Sequence, residues 1–128
     1  MEPQKVAKPL ITKAVEHSLT LKFEDIPDAT KASAKTLILD SLGVGLAGSS
    51  TTESGWLQDF ATKNSSGQTS NGWNMNQKLD AANAAMINAH QMHTLEFDAI
   101  HEPAVVHPMT VVFPSVVAWM QRAHVTQG

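Results

Sequence analysis

The stretch "LDAANAAMINAHQMHTLEF", residues 79 to 97, constrains this chain more than any other. It holds five alanines and neither glycine nor proline, so nothing in it opposes a helix. Asp80 is placed to cap the orphan N–H groups at its start, and Leu79 and Ala84 have the spacing of a hydrophobic staple across that cap. The apolar spacing predicts a helix near 79–96, buried along Ala82, Met86, Ala89 or His90, His93 and Phe97. Pro103 ends it at the latest, because proline lacks an N–H and clashes with the turn before it.

Other segments show the same three-and-four spacing. Pro9 can open a helix near 10–20, since a first helical position needs no N–H. After "FEDIPDATKAS", where Asp25 or Asp28 can cap, Ala34, Leu37, Ile38, Leu42 and Leu46 mark the buried face of a helix near 28–48. Gly43 and Gly45 interrupt it at about 1 kcal/mol each relative to alanine. No strand precedes them and no GxGxxG is completed, so they read as a surface for close helix packing and not as a phosphate loop. A short helix near 54–62 follows, then the turn-rich loop 63–78, where a short strand can form. A last helix near 114–124 starts at Pro114, and its run-in from Thr110 to Phe113 is ambiguous between extended chain and helix. The expectation is an all-α fold in one domain over residues 1–128, without internal repeats.

Composition narrows function. Nine basic residues stand against twelve acidic ones, with no basic run, so neither nucleic acid nor an anionic membrane surface is an expected partner. Cysteine is absent, which removes disulfides, iron–sulfur ligation and thiol nucleophiles from this chain. No apolar run approaches the roughly 20 residues of a membrane span, and a cytoplasmic location is expected.

Proton-transfer groups concentrate in "EFDAIHEPAVVHP", residues 96 to 108. His101, Glu102 and His107 lack the i, i+4 spacing of a zinc helix, and Pro103 lies between them. His90 and His93, at i and i+3, make only a weak metal pair. No metal is expected. Histidines and carboxylates together can move protons in either direction near neutral pH. Pro108 pushes His107 into an extended conformation, at the N-terminus of any helical turn that Pro108 opens. By spacing alone, a polar loop whose histidines cap helix ends is the favoured reading.

Three segments resemble the MmgE/PrpD family, whose members include 2-methylcitrate dehydratases. "LILDSLGVGLAGS" is similar to the family's LLDxLGxxLAG helix, "AANAAMINAHQMHTLEFD" to its AALxNGxxxHxLDFDD helix, and "HEPAVVHPMTVVFPSVVAW" to its HPxxxxxPAxLA segment. They cover about residues 28 to 122 in the family's order. The resemblance implies the N-terminal part of an all-helical domain, with a separate α+β lid outside this chain. It also implies a cofactor-independent lyase acting on small di- and tricarboxylates, or an epimerase of the same family, and a homodimer in the full-length protein. A helical interaction module that has lost catalysis is the other reading.

Carried over residue by residue, the family's pattern implies catalytic roles for His107, Asp98, Glu96 and His101, with His93 and Ile100 binding substrate. His93 matches the helix histidine, Glu96 and Asp98 the first two aspartates, and His107 the histidine before proline. Ala99 replaces the third aspartate, and Ile100 stands where the family often has a pocket threonine. Glu96 extends its carboxylate by one methylene. These departures bear on which acid is the substrate.

Overall fold

The computed structural model describes residues 9–123, so His124, the expected end of the last helix, lies outside the described residues. The fold is all-α, as expected. Five helices run α1 (Leu10–Thr20), α2 (Asp28–Gly48), α3 (Thr52–Asn64), α4 (Ala81–His93) and α5 (Pro108–Arg122). Between α3 and α4 a minimal antiparallel hairpin pairs β1 (Ser70–Asn71) with β2 (Lys78–Leu79). The chain divides into two compact units, with the boundary inside α2 between Ala34 and Lys35.

In the first unit, α1 has no buried residue, and Leu10, Ile11 and Leu19 are 71–83% exposed. A 3₁₀ turn over Phe23–Asp25 leads into α2, where Lys31 lies 4.9 Å above the Phe23 ring and 3.6 Å from Asp28. These are solvent-exposed contacts of small weight.

The second unit holds the core, built from Ala61, Leu79, Ala81, Ala84, Ile87 and Ala118. Asp80 caps α4 as expected, accepting from the N–H groups of Ala82 and Asn83 at 3.1 Å, with Leu79 and Ala84 both fully buried beside it. The helix starts at Ala81 because Leu79 belongs to the hairpin, where its carbonyl accepts from the Thr69 N–H, and it ends at His93, three residues before the expected 96.

The buried face of α4 differs from the expected stripe. It runs through Ala81, Ala84, Ile87, Asn88, Gln91 and Met92, leaving Ala82, Met86, His93 and Phe97 exposed. Two polar residues set this orientation. The Asn88 side chain accepts from the Trp73 N–H (2.8 Å) and donates to the Asn71 carbonyl (3.0 Å), and Gln91 donates to the Trp73 carbonyl (3.2 Å). A buried loop backbone needs such partners. An apolar pattern cannot register a face chosen by amides.

Helix α2 carries a second reversal. Ser41, Gly45 and Gly48 are its buried residues, while Leu37, Ile38, Leu39 and Leu46 are exposed. A Cβ on Gly45 would lie 2.5 Å from the Trp73 ring, and one on Gly48 would overlap the Gln91 carbonyl. The glycine face therefore does pack closely, but through Gly45 and Gly48, since Gly43 faces open space. Close backbone approach outweighs burial of the leucine face here.

Helix α3 starts two residues early, with Thr51 as its cap. Helix α5 begins at Pro108, not Pro114, so the ambiguous run-in is helical and Pro114 sits buried inside the helix. Ser70 donates to the Ala118 carbonyl (2.7 Å) and Gln121 accepts from the Asn71 N–H (2.8 Å), which fixes α5 to the hairpin.

Candidate active site

The site forms where α4 ends and α5 begins. His93 is the last residue of α4, and His107 is the cap residue before Pro108 opens α5. Between them the chain turns at Glu96, which has a left-handed backbone (φ 54°), passes a 3₁₀ turn over Glu102–Ala104, and turns again at Val105 (φ 50°). A β-branched residue in that region is strained, and such strain gathers at functional loops. The His101 N–H donates to the Val106 carbonyl at 2.8 Å, closing the small loop that delivers His107.

Asp98 is the centre. Its side chain is 1% exposed, and the Nδ1 of His93 lies 3.1 and 3.2 Å from its two oxygens. The Nδ1 of His107 lies 3.0 Å from Oδ2, off the hydrogen-bonding direction, and the Thr110 hydroxyl donates to the same oxygen. The two imidazoles stand edge to face with centroids 5.0 Å apart. Burial alone pushes the Asp98 carboxyl up. The hydrogen bonds from Thr110 and His93, a backbone hydrogen bond at Asp98 and the charge of His93 outweigh it, and hold the group below the usual carboxylate range. An ionised, buried carboxylate thus faces two histidines whose side chains are 51% and 30% exposed. Chemically this is a fixed anion that orients imidazoles and stabilises whichever of them takes a proton.

Of the residues singled out by sequence, His93, Asp98 and His107 come together. Glu96, His101 and Ile100 are exposed and stand outside that cluster. Thr110 was missed. The available signal was its position: with His107 as cap, Thr110 is the third helical residue, whose side chain reaches back toward the cap. A cavity of about 480 Å³ opens at the opposite end of α4, lined by Asp80, Ala81, Ser115, Trp119 and Arg122 among others. Asp80 is committed there to capping, and the Arg122 guanidinium stacks 4.7 Å from the Trp119 ring.

Among the described residues no helix is long and apolar enough to cross a membrane. A family model described as the MmgE/PrpD N-terminal domain matches residues 14–127. Cis-aconitate decarboxylase of Mus musculus is 32% identical over 99 residues, covering 77% of this chain and 20% of the mouse protein. The matched part thus spans about a fifth of that curated relative. Because the family's N-terminal domain model matches most of this chain, the chain belongs to the MmgE/PrpD family.

Proposed function

We propose that this chain supplies the acid–base half of a lyase active site for small di- or tricarboxylates, resembling 2-methylcitrate dehydratase in chemistry. The observation that carries the reading is the pair of imidazoles held against one buried, ionised carboxylate at the α4–α5 junction. Elimination of water or carbon dioxide from such acids passes through carbanion or enolate character beside a carboxylate, which requires a positioned base and a positioned acid. His107 takes the principal proton-transfer role, and Asp98 acts by orienting both rings and stabilising the imidazolium. His93 lies at the rim as the second imidazole. Glu96, His101 and Ile100 are proposed to meet substrate only once other segments close over the loop. The segment from His93 to Thr110 contains no lysine or arginine, so cationic clamps for the substrate come from elsewhere in a complete enzyme.

Epimerisation is the second reading, favoured by the same two imidazoles, because one can remove a proton and the other return it. The discriminating experiment is a chimera in which residues 14–127 replace the matching segment of the mouse decarboxylase. It is followed by NMR with cis-aconitate and 2-methylcitrate. Turnover that falls by roughly 10²- to 10⁴-fold on His107→Ala supports the assignment. Near-normal turnover of that variant, or a folded chimera inert to both acids, removes it.

A further inference from the structure

Three side chains distant in sequence spacing, His93, Asp98 and His107, present ligand atoms that all lie within 4.8 Å of one another. The separations from the Asp98 carboxylate are close to those within a coordination sphere. Two donors each about 2.1 Å from a tetrahedral ion lie about 3.4 Å apart. Here the separations from Asp98 are 3.1 and 3.2 Å to the His93 Nδ1 and 3.0 Å to the His107 Nδ1.

A second observation comes from hydrogen bonding. The Nδ1 of His107 is buried and close to the carboxylate, yet no hydrogen-bond partner meets it, because the approach to Oδ2 is off-line. That nitrogen thus lies beside Asp98 with its bonding capacity unused. Thr110 supplies what ligating carboxylates commonly have, an outer hydrogen bond that fixes the carboxylate. Both rings are partly exposed to solvent, from which a water could come as fourth ligand.

We propose that His93, Asp98 and His107 form a binding site for a borderline-soft divalent cation of the zinc type. Two imidazole nitrogens and one carboxylate suit zinc or cobalt better than magnesium or calcium, which prefer all-oxygen shells. The site uses the same three side chains as the catalytic reading, and it bears on that reading. A cation bound to the Nδ1 of His107 takes the lone pair that would otherwise accept a proton there, so occupancy and proton transfer at that atom exclude each other.

The test uses the intact chain and no substrate. Isothermal titration with zinc chloride in a non-coordinating buffer is expected to show one saturable site per chain. His93→Gln and His107→Gln should each weaken it at least about tenfold, since loss of an outer partner alone typically costs 10–100-fold. His101→Gln, at an exposed histidine outside the cluster, should leave it unchanged. Far-UV circular dichroism checks that each variant keeps its helices. Cobalt locates the site without any substitution, because its paramagnetism should broaden the ring protons of His93 and His107 before those of His17, His90 and His101. Absence of saturable binding, equal loss with His101→Gln, or broadening that begins at another histidine overturns the proposal.

Discussion

Asp98 shows how one residue can be prominent in sequence while its role stays hidden. Its place among carboxylates and histidines marked it, but the sequence treated it as one proton carrier among several. The fold makes it the acceptor shared by His93 and Thr110, with the Nδ1 of His107 3.0 Å away and off-line. None of these pairings follows from local spacing, because they depend on how α4 ends and where α5 starts. Thr110→Val removes a hydroxyl donor to an ionised carboxylate, and the expected loss of stability at pH 7 is about 1.5–3 kcal/mol. The sign with pH is fixed by the direction of the shift. A carboxyl held below its unfolded value of about 3.9 contributes stability above that pH and loses it as pH falls through the folded value. The Thr110→Val defect should therefore shrink in acid. Urea unfolding of both proteins at pH 7 and near pH 3 measures this, and an equal defect at both values would contradict the charge-assisted bond.

At the scale of elements, the helices were legible because apolar spacing, caps and prolines act locally. Asp80 is the clearest case. Its oxygens cap the Ala82 N–H, and hydrogen bonds from the Asn83 side chain, the Asn83 and Ser66 N–H groups and Ser65 outweigh burial and hold the group well below the usual carboxylate range. Asp80→Ala should cost about 1–2 kcal/mol, at the upper end for a cap, measured by thermal unfolding. Which face each helix buries was not legible. In α2 the glycines and Ser41 face inward, and in α4 the amides of Asn88 and Gln91 do. Both choices are made by a loop backbone or by close approach, which hydropathy does not encode. Paired substitutions in one helix expose the difference. Gly43→Ala meets nothing within 4 Å and should stabilise by up to about 1 kcal/mol. Gly48→Ala, whose methyl overlaps the Gln91 carbonyl, should destabilise by about 1–3 kcal/mol or more. Equal effects of the two would mean that α2 does not pack as described.

At the largest scale, what stands out among the described residues is how little large apolar surface is covered. Leu79, Ile87 and Met92 are fully buried, whereas Leu39, Trp56, Phe97, Val105, Val111 and Trp119 are 61–76% exposed. Each buried side chain of that kind contributes about 1.5–3 kcal/mol, so a core of three with several alanines is a thin basis for stability. We therefore expect the isolated chain to self-associate or to be partly ordered, which sedimentation velocity and NMR dispersion would show. The same openness bears on catalysis. Asp98 lies at the buried floor of the site, but Phe97, Ile100, Val105 and Val106 around it are 47–76% exposed. In an open site a high dielectric screens the field of a fixed carboxylate, and water competes for every proton. A multiply charged acid would also meet no lysine or arginine between His93 and Thr110. The chain by itself is accordingly expected to leave 2-methylcitrate and cis-aconitate unchanged when NMR follows them over many hours. Turnover by the purified chain that disappears on His107→Ala would overturn this expectation, because it would mean that two imidazoles on one buried carboxylate suffice without a cover or a cationic clamp.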